Sequence, residues 1–234
     1  MPDRNTTLLA AGLLAAGLVA GGYLLGDGLR RSHAADRSVT VRGLAERDVT
    51  ADLATWTISY SATGADLPAV RAKIDASTQG LRDYFRSLGF RDEALQPIGA
   101  GVNEFRNNGT DTVTITQKML LRTNDIARAK KAVAGQFDLV RRGVTIQDGS
   151  AMVYSFTGLN AIKPAMVAEA TKDARKAAEQ FAQDSGTAVG TIKSATQGYF
   201  SIAPRDGEQA GGYGASDTPY KKVRVVTTVD FYLK

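Results

Sequence analysis

The sequence feature that most constrains the fold is one long amphipathic segment that runs from Leu159 to Gly186. Its apolar residues recur every three or four positions, which places them on one side of a helix: Ile162, Met166, Ala170, Ala174, Ala177 and Phe181. Because half of them are alanine, we expect this helix to lie close against the element that covers it. Pro164 suits a first helical turn, and Gly186 stands where a glycine would end the helix.

The opposite side of this predicted helix is polar and carries Lys172, Lys176, Glu179 and Gln183, with Arg175 four positions before Glu179. Such a pattern is typical of a solvated helix surface. With 234 residues, of which 43% are hydrophobic and 23% charged, the chain can bury one core, in one lobe or two.

The charges of the chain are dispersed rather than concentrated. The net charge is +5 at pH 7, and the one local basic group has the spacing of the outer face and C-terminal end of a helix: Arg128, Lys130, Lys131, Arg141 and Arg142. A nucleic-acid-binding protein normally concentrates its basic residues on one element, so we predict no nucleic-acid partner. Cysteine is absent, which excludes disulfides, thiol nucleophiles and thiolate metal sites.

An apolar, uncharged run at residues 6–26 follows a short N-terminal tail at residues 1–5. It is long enough to cross a bilayer as a helix, which takes about 20 residues. A cleaved signal peptide is the alternative, although its apolar region is usually shorter, about 7–15 residues. Ser32, His33 and Ala34 resemble a cleavage site, but charged residues separate them from the run. We therefore favour an uncleaved transmembrane anchor, followed by a linker at residues 27–37 and a globular domain at residues 38–234.

Two glycine pairs in the predicted anchor have the GxxxG spacing that allows membrane helices to associate closely: Gly17 with Gly21, and Gly22 with Gly26. The orientation of the anchor is open on charge alone. Arg4 precedes the run while Arg30, Arg31 and Arg37 follow it, which favours a cytoplasmic body. A very short N-terminus before a signal-like segment instead favours export of the body.

The globular part reads as strand pairs alternating with helices. Strands are predicted at residues 38–44, 50–61, 95–104, 110–122, 144–146, 152–156, 191–204 and 221–233. A tight connection at residues 45–48 joins the first two strands, and the Asn107-Asn108-Gly109 turn joins the next two. Helices are predicted from Asp66 to Gly89, from Thr123 or Asn124 to Gly143, and over the long segment. This order predicts an α+β fold of antiparallel or mixed sheets layered with three helices, in repeated strand-strand-helix units, preceded by one transmembrane helix.

The candidate core follows from the same periodicities. Trp56, the only tryptophan, is interpreted as a core anchor. The first two helices have apolar stripes, formed by Leu67, Val70, Ile74, Leu81 and Phe85, and by Ile126, Val133, Phe137 and Val140. The last strand alternates strictly, with Val223, Val225, Thr227, Val229, Phe231 and Leu233 on one face.

Three groups of residues, in this order along the chain, carry a family resemblance. They are Gly43-Leu44-Ala45-Glu46 after a Val-Thr-Val strand; Leu159-Asn160 and Lys163-Pro164 before the alanine-rich helix; and Gln197-Gly198, Ala203-Pro204-Arg205-Asp206 and Lys222-Val223-Arg224-Val225-Val226. Over residues 38–233 the chain resembles the SIMPL-domain family of YggE-like bacterial envelope proteins. The resemblance implies an exported, periplasm-facing domain, a link to oxidative-stress tolerance and a tendency to form homo-oligomers. It brings no established catalytic residues. It favours a single-pass inner-membrane protein, or a soluble periplasmic one if the segment is cleaved.

Residues suited to catalysis are scarce. His33 is the only histidine and lies in the linker, which excludes a Ser-His-Asp triad or a multi-histidine zinc site in the body. Ser150 follows Gly149 but lacks the G-x-S-x-G context, and no Ser-x-x-Lys occurs. We predict no catalytic, cofactor-binding or metal-binding residue, no cofactor, and no enzymatic activity.

A glycine-rich stretch between Asp206 and Pro219 leads into a strand and lacks the lysine of a phosphate-binding loop. It is interpreted as a hairpin excursion in which Tyr213 is a candidate contact for a partner. The leading hypothesis is a membrane-anchored, non-enzymatic envelope protein that assembles with copies of itself or with other envelope proteins. The alternatives are a binding module for an anionic envelope component, which requires a contiguous Lys/Arg patch, and an enzyme, which requires a pocket lined by groups of shifted pKa.

Overall fold

The computed structural model describes residues 12–15, 17–26, 37–107, 110–206 and 218–234. Its strands are β1 (Ser38–Thr50), β2 (Leu53–Gly64), β3 (Leu95–Asn107), β4 (Thr110–Thr123), β5 (Met152–Ser155), β6 (Val189–Gln197), β7 (Ser201–Pro204) and β8 (Tyr220–Leu233). Its α-helices beyond residue 37 are α1 (Leu67–Ser87), α2 (Ile126–Ala134), α3 (Phe137–Arg141) and α4 (Leu159–Asp184).

The strands form two four-stranded sheets. One has the order β3-β4-β2-β5, with antiparallel pairing throughout. The other has the order β1-β8-β6, and β7 also pairs with β8; β6 and β7 are both antiparallel to β8. The predicted mixed α+β fold with antiparallel sheets is therefore confirmed. The predicted repetition of strand-strand-helix units stays a prediction.

The chain divides into two compact units. Unit 1 contains residues 1–45, 165–200 and 225–234, and unit 2 contains residues 46–164 and 201–224. In unit 2, α1 begins at Asp66, whose Oδ1 accepts a hydrogen bond of 2.9 Å from the amide of Ala69. After the helix ends, Gly89 has a φ of 82°, a conformation that favours glycine. Both ends of this helix were predicted correctly.

The core of unit 2 is built from large side chains. Trp56 on β2 is buried and meets Phe85 of α1 edge to face, with ring centroids 5.8 Å apart. Phe85 makes similar contacts with Tyr84 at 5.2 Å and with Phe90 at 5.6 Å. These aromatic contacts explain why Trp56 serves as the core anchor that its sequence context predicts.

The helix face that enters the core of unit 1 is built mostly from small side chains. Helix α4 buries residues at every fourth position: Met166, Ala170, Ala174, Ala178 and Ala182. Gly43 of β1 lies so close to α4 that a Cβ there would overlap the carbonyl oxygen of Ala170 and the amide of Ala174. The amide of Leu44 donates a hydrogen bond of 2.9 Å to Asp173. The predicted close approach of this helix to its neighbour is confirmed.

The details of α4 differ from the prediction. The helix begins at Leu159, so Pro164 lies inside it rather than in its first turn. The buried stripe continues through Ala178 and Ala182, whereas Ala177 is half-buried and Phe181 is exposed. Residues four positions apart are separated by slightly more than one helical turn, so the buried stripe winds gradually around the helix. Alternate spacings of three and four residues would keep the stripe along one side.

The predicted connection between the first two strands is wrong. Residues 45–48 belong to β1, the chain turns at Ala51 and Asp52, and β1 and β2 lie in different sheets. The Asp52 carboxylate accepts hydrogen bonds from the amide of Thr157 at 2.7 Å and from its hydroxyl at 3.0 Å. The turn is thus anchored to the segment after β5 and does not close a hairpin.

The second predicted helix is divided into α2 and α3 at Gly135 and Gln136, so the domain has four α-helices over the described residues beyond 37 rather than three. A Cβ at Gly135 would lie 2.8 Å from the hydroxyl oxygen of Tyr84. Asp125, not Thr123 or Asn124, accepts the capping hydrogen bond of α2. With this division Leu139 is buried in the core. Phe137 and Val140, which were predicted to lie on the apolar stripe, are exposed.

The remaining strand corrections are local. The predicted strand at residues 144–146 is only an isolated bridge between Tyr60 and Ile146, and the predicted strand at residues 191–204 is interrupted between β6 and β7. The β3–β4 pair was predicted correctly, and its register extends to Asn107 opposite Thr110. Residues 108 and 109 of the predicted turn lie outside the described residues. In β8, every second side chain from Lys221 to Phe231 is buried, as the alternation predicts from Val223 onward, whereas Leu233 is only half-buried.

The predicted anchor lies partly outside the described residues, because residues 1–11, 16 and 27–36 are not among them. Residues 12–15 and 17–26 are helical. Over the part of the chain that the structure describes, we find no helix with both the length and the apolar character needed to span a membrane.

Candidate functional site

Strand β3 forms an open edge of its sheet, since β4 is its one sheet neighbour in the described part of the chain. All of its side chains from Gln96 to Arg106 are exposed. Three of them are large and apolar: Ile98, Val102 and Phe105 expose 51%, 55% and 68% of their surfaces. An exposed strand edge presents unpaired N–H and C=O groups and is a template for pairing with another chain.

The ends of this edge are protected, and its middle is not. Pro97 and a bulge lie at one end, because β4 pairs Met119 with Pro97 and then Lys118 with Gly99, which leaves Ile98 without a partner. At the other end, the guanidinium of Arg106 forms a bidentate ion pair with Asp111, which lowers the pKa of that carboxyl. Residues 99–103 between these ends carry no charge.

A groove of about 520 Å³ lies in unit 2 between α1, the end of β2 and the turn that follows α3. We call it the Lys73–Arg142 groove; it is lined by Ser61, Ala62, Thr63, Lys73, Ala76, Ser77, Arg142, Gly143 and Thr145. These residues include two cations and no carboxylate. The groove therefore has a local positive charge although the whole chain is only mildly basic.

The walls of this groove are fixed by specific contacts. The hydroxyl of Ser77 on α1 donates to the carbonyl of Gly143 at 3.4 Å, and Gly143 holds the turn with a φ of 81°. A Cβ at Gly80 would lie 3.3 Å from the carbonyl oxygen of Arg142, so the turn packs tightly on the helix. Lys73 Nζ donates to the carbonyl of Thr63 at 3.3 Å, which ties the helix to β2.

The cations of the groove differ from the other basic residues of the region in their pairing. Arg141 forms an ion pair of 2.9 Å with Asp138, and Arg128 forms one of 3.2 Å with Asp125. Among the described residues, Lys73 and Arg142 form no ion pair within 4.0 Å. Their charges are available for a ligand.

A second charged region lies on neighbouring stretches of β1 and β8 in unit 2. Lys222 lies 3.7 Å from Glu46 and 3.9 Å from Asp48, and Arg224 lies 3.6 Å from Glu46. All four side chains are substantially exposed, and such surface pairs contribute about 0–1 kcal/mol each. This ladder of paired charges is typical of a solvated face.

Two buried tyrosines have raised pKa values. Burial raises the pKa of Tyr60, whose hydroxyl lies 2.8 Å from that of Thr78, and burial also raises the pKa of Tyr84, which donates to the carbonyl of Ala132 at 2.6 Å. Each hydroxyl has a partner within the core, so these shifts belong to packing. Ser150, considered above as a nucleophile, has a committed hydroxyl that donates to Gln147 at 2.9 Å and accepts from the amide of Ser59 at 3.0 Å.

The residues predicted to contact partners lie in two separate parts of the sequence. Tyr213 lies outside the described residues. Gly17, Gly21, Gly22 and Gly26 lie in the helical residues near the N-terminus, and a Cβ at any of them would have no atom within 4 Å. Their role in helix association stays a prediction.

The sequence pattern alone did not identify the β3 edge or the Lys73–Arg142 groove. Pro97, Gly99 and Gly101 within a strand pattern are a signal for an edge strand that could have identified β3. The groove had no such signal, because Lys73 and Arg142 are far apart in the chain and Arg142 was assigned to the basic group on the outer face and C-terminal end of a helix.

Comparison with protein-family models gives a match over most of the chain. A family model described as "SIMPL: Protein of unknown function (DUF541)" matches residues 39–231. No curated protein matches the chain.

Proposed function

The chain belongs to the SIMPL family, and on that premise we propose that it is a non-enzymatic protein of the bacterial envelope that assembles with copies of itself. Residues 6–26 anchor it in the inner membrane, and residues 38–234 face the periplasm. The uncharged run supports the anchor, and the family resemblance supports export and a role in tolerance of oxidative or envelope stress. Other envelope proteins are further candidate partners. If the segment is cleaved, the same domain is soluble in the periplasm.

The observation that carries the proposed assembly is the open edge of β3. Apolar side chains occupy both faces of this strand, although exposed edges of monomeric proteins usually carry charges or are covered. Val102 lies on the same face of the sheet as Ile115, its partner on β4, and Phe105 lies on the opposite face beside Thr112. A strand added at this edge covers apolar surface on both faces of the sheet and satisfies main-chain groups.

The sequence of β3 is complementary to itself. Two copies that pair antiparallel about a two-fold axis at Val102 place the two Val102 side chains opposite one another. In this register each Phe105 lies opposite Gly99 of the other copy. Because Gly99 has no side chain and no atom lies within 4 Å of its Cβ position, the ring has space to cover it.

Light scattering of the full chain in detergent micelles across a dilution series tests this proposal. We expect a discrete oligomer whose dissociation constant rises at least about tenfold in Val102→Lys, because a lysine on an edge strand opposes pairing. Val153→Lys is the matched control, since Val153 lies on β5 at the other edge of the sheet and is 48% exposed. It should leave the mass unchanged.

Two results would contradict this assignment. A native chain that is monomeric at all concentrations would exclude self-assembly. An oligomer that survives Val102→Lys but dissociates in Gly21→Leu would place the assembly in the N-terminal glycine pairs instead.

A further inference from the structure

We propose that the Lys73–Arg142 groove binds a small oxyanion, a ligand that presents a phosphate or carboxylate group to the two cations. This inference is independent of self-assembly, because the groove and the β3 edge share no residue. The first support is charge. The lining contains Lys73 and Arg142 without a carboxylate, and in the described part of the chain neither cation is neutralised by an ion pair.

The second support is a hydrogen-bond donor beside these cations. The hydroxyl of Thr145, a residue that lines the groove, makes no hydrogen bond to any described residue. Two cations and one hydroxyl donor match the several acceptor oxygens of a phosphate or carboxylate group.

The third support is that the walls are preformed. The Ser77–Gly143 hydrogen bond and the tight packing of Gly80 beneath the turn fix the backbone that carries Arg142. A ligand therefore has to order the ends of two side chains and not a loop, which reduces the entropy lost on binding. The volume of about 520 Å³ is within the range of small-ligand sites, about 300–1,000 Å³.

Arginine and lysine have different parts in this site. The guanidinium of Arg142 can donate two parallel hydrogen bonds to one oxyanion, whereas Lys73 supplies a point charge. We therefore expect Arg142→Lys to weaken binding less than Arg142→Gln, since the lysine keeps the charge and loses the paired donors.

Equilibrium dialysis of the full chain with radiolabelled inorganic phosphate, and separately with labelled acetate, tests the proposal. We expect saturable binding of one anion per chain, weakened at least about tenfold in Lys73→Gln and in Arg142→Gln. Arg141→Gln is the matched control, because it removes the same charge from the neighbouring position while Arg141 is paired with Asp138 outside the groove. It should bind as the native chain does. Preference for phosphate or for acetate identifies which oxyanion the site takes.

Several outcomes would overturn the inference. One is the absence of saturable binding of either anion, and another is unchanged binding in Arg142→Gln. A third is an equal loss of affinity in Arg141→Gln and Arg142→Gln, because it would indicate a diffuse response to net charge. Thermal unfolding of each variant keeps the test interpretable. If Arg142→Gln is destabilised, Arg142→Lys is measured in its place. Native-like binding by Lys73→Gln then suffices to reject the site.

Discussion

The two units of this protein achieve burial in opposite ways. Unit 2 packs large aromatic side chains edge to face, with Trp56, Tyr84, Phe85 and Phe90 in one cluster. Unit 1 packs an alanine face of α4 against β1 at a point where even one methyl group has no space. The first arrangement gains stability mainly from the apolar area that it buries, and the second depends on close approach of two backbones. They should therefore respond to opposite kinds of substitution.

The largest effect is expected from removing volume in unit 2. Trp56→Ala deletes a side chain that is 1% exposed and leaves a cavity beside Phe85. We expect a loss of about 3–5 kcal/mol in the free energy of unfolding, measured by urea denaturation. Trp56→Phe, which retains an aromatic ring, should lose clearly less. Equal losses in the two variants would show that the indole volume is not what stabilises the cluster.

A smaller but still large effect is expected from adding volume in unit 1. Gly43→Ala forces a methyl group into the backbone of α4, and we expect destabilisation of about 3 kcal/mol from overpacking. Gly101→Ala is the matched control, because it makes the same change in a strand where the added Cβ has no atom within 4 Å, and Gly101 is not the glycine that Phe105 covers in the proposed pairing. If Gly43→Ala unfolds at the same urea concentration as Gly101→Ala, α4 does not approach β1 closely.

The smallest effect distinguishes two neighbouring alanines on α4. Ala178 is fully buried and Ala177 is half-buried at the margin of the same core. Ala178→Val should cost about 1–3 kcal/mol, and Ala177→Val should cost less than half as much. The two variants differ equally from the native chain in helix propensity, so the difference between their denaturation midpoints reports packing alone. If Ala177→Val loses more free energy of unfolding than Ala178→Val, Ala177 is the more tightly packed residue, as the predicted stripe with alternate spacing requires.

Local chemistry in the sequence determined the features that depend on neighbouring residues. Asp66 and Gly89 set the ends of α1, strict alternation identified the inward face of β8, and residues around Asn107 predicted the β3–β4 pair. The ordered groups of residues that resemble the SIMPL family were also sufficient to identify it. Two of them have a structural explanation. Gly43 allows β1 to approach α4, and Gly198 lies so close to Val226 that a Cβ would be 2.6 Å from its carbonyl oxygen.

The tertiary structure alone decided which strand is at an edge and which distant residues meet. The sequence pattern of a hairpin is the same whether its outer strand is covered or open, so the exposure of β3 depended on the sheet order. Lys73 and Arg142 line the same groove because the turn after α3 packs on α1, and no local preference records that packing. Helix ends and strand faces follow from hydrogen bonds and periodicity within a few residues. Edges and grooves follow from long-range packing, which one segment of sequence does not specify.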